Sequence, residues 1–401
     1  MFRSVLGFIL LFNILASCTN SRESKYLINS KEASNSDEYI LSIDSIRIPR
    51  KPEFNLAYFT YSIYSKNNVD YLFGYNASSG TIDIIDLTNR VSYKQLHLSR
   101  DTAVFKQLDK QDLDKGKSIT DISVINFDSI LLNYSNRKLL ILDTGMVIKK
   151  NIDLNLTAYQ SGILGMPISY GHSFKWLFFN GELLFNQMYP NNDWNLKKPI
   201  ISSLNITTDK LNPLPIVYSE YLYQTKGKAG FLTSVLTSEF QSKDLLTYSF
   251  LYESNIYQYN PKSATITAYG ATTSKGKNLV DSMEYQGDDL KMWDKHNIEN
   301  TQFLNVMYDK YRNLYYRFSL RNIPYKNGKY FSSTIDKPLT LMVFNEKFEV
   351  IKEIDMPPYV YAPSTSFITK EGLFISPTNQ KNSYVDPNHL RFHIIKLTKK
   401  I

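Results

Sequence analysis

Tyr71-Leu-Phe-Gly-Tyr75, Thr81-Ile-Asp-Ile-Ile-Asp86 and Val91-Ser-Tyr-Lys-Gln-Leu96 are three short apolar or alternating runs set apart by turn-forming residues. Branched and aromatic side chains at this spacing suit a pleated, half-buried surface. The unit is an apolar strand, a gap, a second strand ending in Asp or Asn, and a third strand. It returns as Ile130-Leu-Leu-Asn-Tyr134, Lys138-Leu-Leu-Ile-Leu-Asp143 and Met146-Val-Ile148. Further copies pair Glu182-Leu-Leu-Phe185 with 200–205, 245–250 with 255–260, and 314–318 with 339–345. The Asp or Asn positions 86, 143, 205, 260 and 345 lie 57, 62, 55 and 85 residues apart. Their short side chains bond turn backbone and tolerate left-handed conformations.

A sixth copy begins with Gly372-Leu-Phe-Ile-Ser376 and Leu390-Arg-Phe-His-Ile-Ile-Lys-Leu397, with no room left for its last strand. Tyr39-Ile-Leu-Ser-Ile-Asp-Ser-Ile-Arg-Ile48 is left over at the other end and complements it. The expected fold is therefore all-β, a six-bladed β-propeller whose ring closes when strand 39–48 pairs with the C-terminal blade, which removes exposed edges. Two β-sandwiches would also give short strands and turns, but would not explain the complementary ends. The 85-residue interval holds an insertion at about 271–300, where Met283, Leu290, Met292 and Trp293 predict a short helix. Insertions of this length often carry lids or ligand loops.

The N-terminus supplies an address. Arg3 precedes the apolar run 5–16, which ends in small residues and the sole cysteine, Cys18. That is the plan of a secretory signal, too short to span a membrane as a mature helix. Leu15-Ala16-Ser17-Cys18 resembles the bacterial lipobox, which implies cleavage after residue 17 and lipidation of Cys18. The expected organisation is a signal peptide at 1–17, a flexible tether at 18–38 and a propeller at 39–401. Thr19 following the cysteine, without an acidic cluster to Ser24, favours an outer-membrane lipoprotein on the periplasmic face.

The chain has 30 Tyr and 23 Phe against 16 Gly and 15 Pro, which favours strands over helices. Its net charge of +8 is spread without a basic block, so no nucleic-acid partner is expected. One cysteine excludes intramolecular disulfides, so packing must supply the stability. A monomer without cofactor is expected.

Chemistry is harder to find. His97, His172, His296, His389 and His393 lack metal-site clustering, and on a strand His389 and His393 would stand about 13 Å apart. Asp109, Asp112 and Asp114 lack the central glycine of a calcium loop. No nucleophile elbow or phosphate loop is present. No metal site or catalytic residue is assigned. Two carboxylates could still meet in space as in a glycosidase. The candidate ligand-binding residues are Trp194, Trp293, Tyr308, Tyr311 and Arg317, which offer stacking faces and hydrogen bonds. Trp194 leads, because Tyr189-Pro-Asn-Asn-Asp-Trp194 reads as an exposed loop.

The lipobox, the repeat, Asn180-Gly-Glu-Leu-Leu-Phe-Asn186, Ala271-Thr-Thr-Ser-Lys275 and Tyr308-Asp-Lys-Tyr-Arg-Asn-Leu-Tyr-Tyr-Arg-Phe318 together resemble an uncharacterised family of Bacteroidota lipoproteins, domain of unknown function 4221. The resemblance covers most of 39–397 and implies a six-bladed propeller-like fold. It brings no catalytic residues. Asp44-Ser45-Ile, Asp101-Thr102-Ala, Asp128-Ser129-Ile and Asp281-Ser282-Met also resemble bacterial O-glycosylation sites, with Ser45, Thr102, Ser129 and Ser282 as acceptors. Two functions stay open: a non-enzymatic envelope protein that binds a protein or glycan, and a carbohydrate-active enzyme with acids at the channel mouth.

Overall fold

The computed structural model describes residues 26–29, 31, 38–58, 60–98, 119–134, 138–160, 166–168, 175–188, 198–225, 235–242, 244–283, 290–384 and 386–400. Six antiparallel sheets form a six-bladed propeller. Blade 1 comprises Tyr61–Lys66, Val69–Asn76, Thr81–Asp86 and Val91–His97, and blade 2 Ile119–Asn126, Ser129–Tyr134, Lys138–Leu142 and Ile148–Asp153. In blade 3 the innermost strand is split into Met166–Ile168 and Leu177–Phe179. Both pair with Glu182–Met188, followed by Ile201–Asn205 and Lys210–Pro213. Blade 4 holds Val235–Leu236, Leu246–Phe250, Ile256–Asn260 and Thr265–Tyr269, and blade 5 Gln302–Asp309, Leu314–Leu320, Leu339–Phe344 and Val350–Asp355.

Blade 6 takes Ala362–Thr369, Gly372–Ser376 and His389–Lys399 from the C-terminus and Tyr39–Pro49 from the N-terminus. The last two pair without a bulge from Tyr39↔Lys399 to Pro49↔His389. Ile46 and Ile48 fix this register, because they are buried while their neighbours face solvent. A slip of one residue would turn both outward. The described part of the expected tether is seated on the ring rather than free. Asn255 in the blade 4 turn donates to the Tyr26 carbonyl at 2.9 Å and accepts from Ile28 N at 3.2 Å, and Val350 N donates to the Lys31 carbonyl.

The Asp and Asn positions of the repeat do what their chemistry suggests. Asp86 accepts from Asn89 N, Asp143 from Gly145 and Val147, Asn205 from Thr207 and Thr208, Asn260 from Lys262 and Ser263, and Asn345 from Lys347 and Glu349. The left-handed residue is not the Asp or Asn itself but one three or four positions on: Arg90, Met146, Asp209, Ala264 and Phe348. Each blade is a meander, so these turns and those joining first to second strands lie at one end of the ring, here called lower. Links between second and third strands, and between blades, lie at the upper end. Insertions concentrate there, including the helix Leu290–Glu299 and the hairpin formed by Lys326–Asn327 and Tyr330–Phe331.

The innermost strands are joined around the axis by a complete circuit of polar contacts. Tyr61 Oη donates to Ser366 O, Ser62 Oγ accepts from Val124 N, and Asp121 accepts from Trp176 N. Thr237 then takes up the circuit, donating to Lys175 O and accepting from Asn305, and Ser366 Oγ reaches Met307 Sδ. Apolar clusters fill the wedges between blades, as where Leu131, Trp176, Phe185 and Leu204 meet between blades 2 and 3.

Candidate binding cleft

A segment of blade 4 spans the axial channel. Blade 4 has an innermost strand of only two residues, and the chain then crosses the axis as Thr237-Ser-Glu-Phe-Gln-Ser242. Glu239 accepts from Ser62 Oγ at 3.0 Å and Ile63 N at 3.2 Å, both in blade 1, on the far side of the ring. Tyr308 N of blade 5 donates to Phe240 O. Lys175 enters from blade 3, donates to Tyr61 O at 2.8 Å and lies over the Tyr61 ring. Burial pushes the Glu239 carboxyl up, against the pull of Lys175. Burial likewise pushes the Lys175 ammonium down, opposed by Glu239 and Asp121. In both groups the cost of burial outweighs the attraction of the opposite charge.

Above this plug lies a cleft of about 540 Å³. Phe240, Leu304, Met307, Phe318 and Leu339 give it apolar walls, while Asn305, Gln302 and Ser366 offer hydrogen bonds. The size and the mixture suit a small organic ligand or a short chain segment. Its rim is built by the upper-end insertions. Lys337 donates to the carbonyls of Asn297 and Asn300 at 2.7 and 2.6 Å, which places a cation at the C-terminal end of the helix Leu290–Glu299. Burial pushes the Lys337 ammonium down to about 7. Asp336 is held by Lys381 and the Ser333 cap, which keep its carboxyl below the usual range. Tyr359 and Tyr361 complete the opposite lip.

The sequence candidates fall apart in space. Trp293 is half-buried on the upper-end helix, which forms as expected within the insertion. Tyr308 and Tyr311 sit at the lower end, with Tyr308 packed at a tilt against Tyr315 and Tyr311 exposed in the turn after it. Arg317 requires correction as a ligand contact. It is fully buried, and its guanidinium donates to the carbonyls of Leu304, Ser254, Phe250 and Glu253 while lying over Phe303. Those bonds staple blade 5 to the blade 4 turn. Trp194, Thr102, Cys18 and Asp109, Asp112 and Asp114 lie outside the described residues.

Ser45 and Ser282 are exposed and Ser129 is half-buried in a tight hairpin. His389 and His393 bond Asp386 and Tyr361 respectively. Among the described residues no group of three or more His, Cys, Asp or Glu side chains is arranged to hold a metal. No helix among them is long and apolar enough to cross a membrane.

Sequence reasoning missed Lys175 and Glu239, which lie 64 residues apart in neighbouring blades and share no motif. The one available signal was the polar run 237–242 interrupting apolar Val235-Leu236 and Leu245-Leu246.

None of the curated proteins matches this sequence. The fold is similar to the crystal structure of a DUF4221 family member from Bacteroides vulgatus, at 20% identity and a TM-score of 0.75, covering 91% of this chain and 100% of that one. A Bacteroides fragilis protein described as exported is similar at 8% identity and a TM-score of 0.53, covering 92% and 99%. Both likenesses support the propeller alone. The sequence itself matches the model of the domain of unknown function DUF4221 over residues 30–355, which is most of the ring, and the chain therefore belongs to that family.

Proposed function

We propose that this protein is a lipid-anchored envelope propeller that binds, without transforming, a ligand seated in the upper-end cleft. The observation that carries the reading is the blocked channel, which turns a through-pore into a closed-bottom cavity with apolar walls and a charged floor. A ligand with an apolar face and one polar end, such as an envelope peptide or glycan fragment, matches that lining. Cys18 in its lipobox-like setting supports the anchor reading, with an outer-membrane location and the periplasmic face favoured.

A screen of the purified protein against glycans and envelope extracts, followed by turnover assays on each hit, tests the binding reading. Saturable binding with unchanged ligand, weakened by Glu239→Gln, supports it; binding untouched by changes at Glu239 and Met307 sinks the cleft as the site. Cys18→Ala is expected to move the protein from the membrane to the soluble fraction of cells. Retention in the membrane would remove the anchor from the reading.

A second reading has one observation behind it. The two carboxylates lining the cleft are pushed in opposite directions, Glu239 up and Asp336 down, a pattern shared with acid and base pairs of hydrolases. Glycan cleavage lost in Glu239→Gln would establish it.

A further inference from the structure

The most exposed aromatic side chains among the described residues belong to one element. Tyr330 is 81% and Phe331 66% exposed, on a hairpin inserted between the second and third strands of blade 5. Gly328 and Lys329 form its two-residue loop, in which Gly328 alone has positive φ, the pattern of a type II′ turn. Such a turn holds the hairpin out on a stiff base rather than letting it collapse. Tyr325 packs against Phe331 at 5.2 Å, which steadies the projecting ring.

The charge here is one-sided. The segment 321–333 contains the exposed Lys326 and Lys329, Arg321 paired with Asp355, and no acidic residue of its own. Ile323 N donates to Ile298 O, which joins this segment to the helix Leu290–Glu299. That helix exposes Met292, Lys291 and Lys295, with Asp294 and Glu299 as its acids.

A third observation concerns direction. Tyr26 is fastened to Asn255 in an upper-end turn and packs at a tilt against Tyr221. The chain only later runs down blade 5 to Lys31 and into blade 6 from below. Tyr26 lies eight positions after Cys18, a reach of at most about 29 Å. An anchored N-terminus would therefore hold the upper end close to the bilayer.

We propose that the hairpin at 326–331, with the exposed face of the adjoining helix, is a membrane-contact surface that seats its aromatic rings among anionic phospholipid headgroups. Rings that are apolar in body and polar at the tip belong at that depth, and lysines beside them complement the anionic surface. The lipid contact stands on the hairpin itself; only the orientation rests on the anchor reading.

The test uses the full chain carrying Cys18→Ala and Asn327→Cys, labelled at the new cysteine with an environment-sensitive dye and mixed with phosphatidylcholine vesicles with or without phosphatidylglycerol. The expected result is a blue shift and co-sedimentation with the anionic vesicles, reversed by salt. Lys326→Gln and Lys329→Gln should each weaken binding about fivefold. Tyr330→Ser with Phe331→Ser should abolish the shift. Parent and variants share the same leader, so their difference reads the hairpin alone. All four positions are exposed, and circular dichroism checks that the ring is intact.

An unshifted dye on anionic vesicles, equal binding to neutral ones, or variants that sediment like the parent would each overturn the proposal. So would a shift produced by soluble glycan or protein in place of lipid. The anchor reading fails separately, through the cell fractionation of Cys18→Ala.

Discussion

Replacing Arg317 by Met separates a structural staple from a ligand contact. The substitution keeps the length and bulk of the side chain but removes every donor. Four buried carbonyls, of Leu304, Ser254, Phe250 and Glu253, then lose their partner at distances that are now 2.6 to 3.2 Å. A buried polar group left unpaired costs about 1–3 kcal/mol, and breaking a buried charged network typically costs about 3–5 kcal/mol in total. Relaxation of the 250–254 turn would recover part of the sum, so about 4 kcal/mol is the expected loss. With a urea slope near 3 kcal/mol/M, the unfolding midpoint should fall by more than about 1 M. Arg317→Lys retains the charge without the planar fork and should lie between the two. Burial pushes the guanidinium down to about 9, so it remains charged at neutral pH and the argument holds there. An unchanged midpoint in Arg317→Met, together with lost ligand binding, would refute the staple and restore Arg317 as a ligand contact.

Three further outcomes are expected. Burial raises the Glu253 carboxyl from 4.5 to about 7, so the folded state holds a proton that the unfolded state has released; stability is full below about pH 4.5 and should decline towards pH 7 by on the order of 3 kcal/mol, and Glu253→Gln should flatten that slope in pH-dependent urea melts. Ile46→Ala and Ile48→Ala each delete a buried side chain from the closing strand and should cost about 2–5 kcal/mol, read as earlier thermal unfolding and faster proteolysis. Gly74→Ala would set a methyl 2.3 Å from the buried Tyr58 ring, which is itself held by Asp83, and overpacking of about 1–3 kcal/mol or more should appear as a lowered melting temperature. A Gly74→Ala protein as stable as its parent would show that the ring yields freely.

The second and third strands of each blade were legible because they sit between two neighbours and bury both faces. Phe73, Ile84, Leu132, Leu140, Phe374 and Ile394 therefore appear as apolar runs in the sequence. The innermost strands carried no such mark. Their polar side chains, among them Ser62, Asp121, Thr237, Asn305 and Ser366, serve the circuit around the axis, where neighbouring backbones and side chains supply hydrogen bonds that water would otherwise provide. The closing strand was readable from arithmetic, since one end lacked a strand and the other had one to spare. Cleft residues were not, because Lys175, Glu239 and Asp336 come from three blades and meet only after the ring exists. Arg317 misled because an arginine between Tyr316 and Phe318 looks the same whether it faces a ligand or four carbonyls.

The pairing of Ile46 with Phe392 also sets a schedule. The two residues are separated by nearly the whole chain, so at about 5–20 residues per second a ribosome takes roughly 20 to 70 s to deliver the second after the first. Throughout that interval the N-terminal strand has no mate, and both rims of the unfinished ring are sticky. A nascent chain of this design gains by staying unfolded until its C-terminal strand has emerged. Loss of strand His389–Lys399 should consequently be as ruinous as loss of strand Tyr39–Pro49, although the two lie far apart in the sequence.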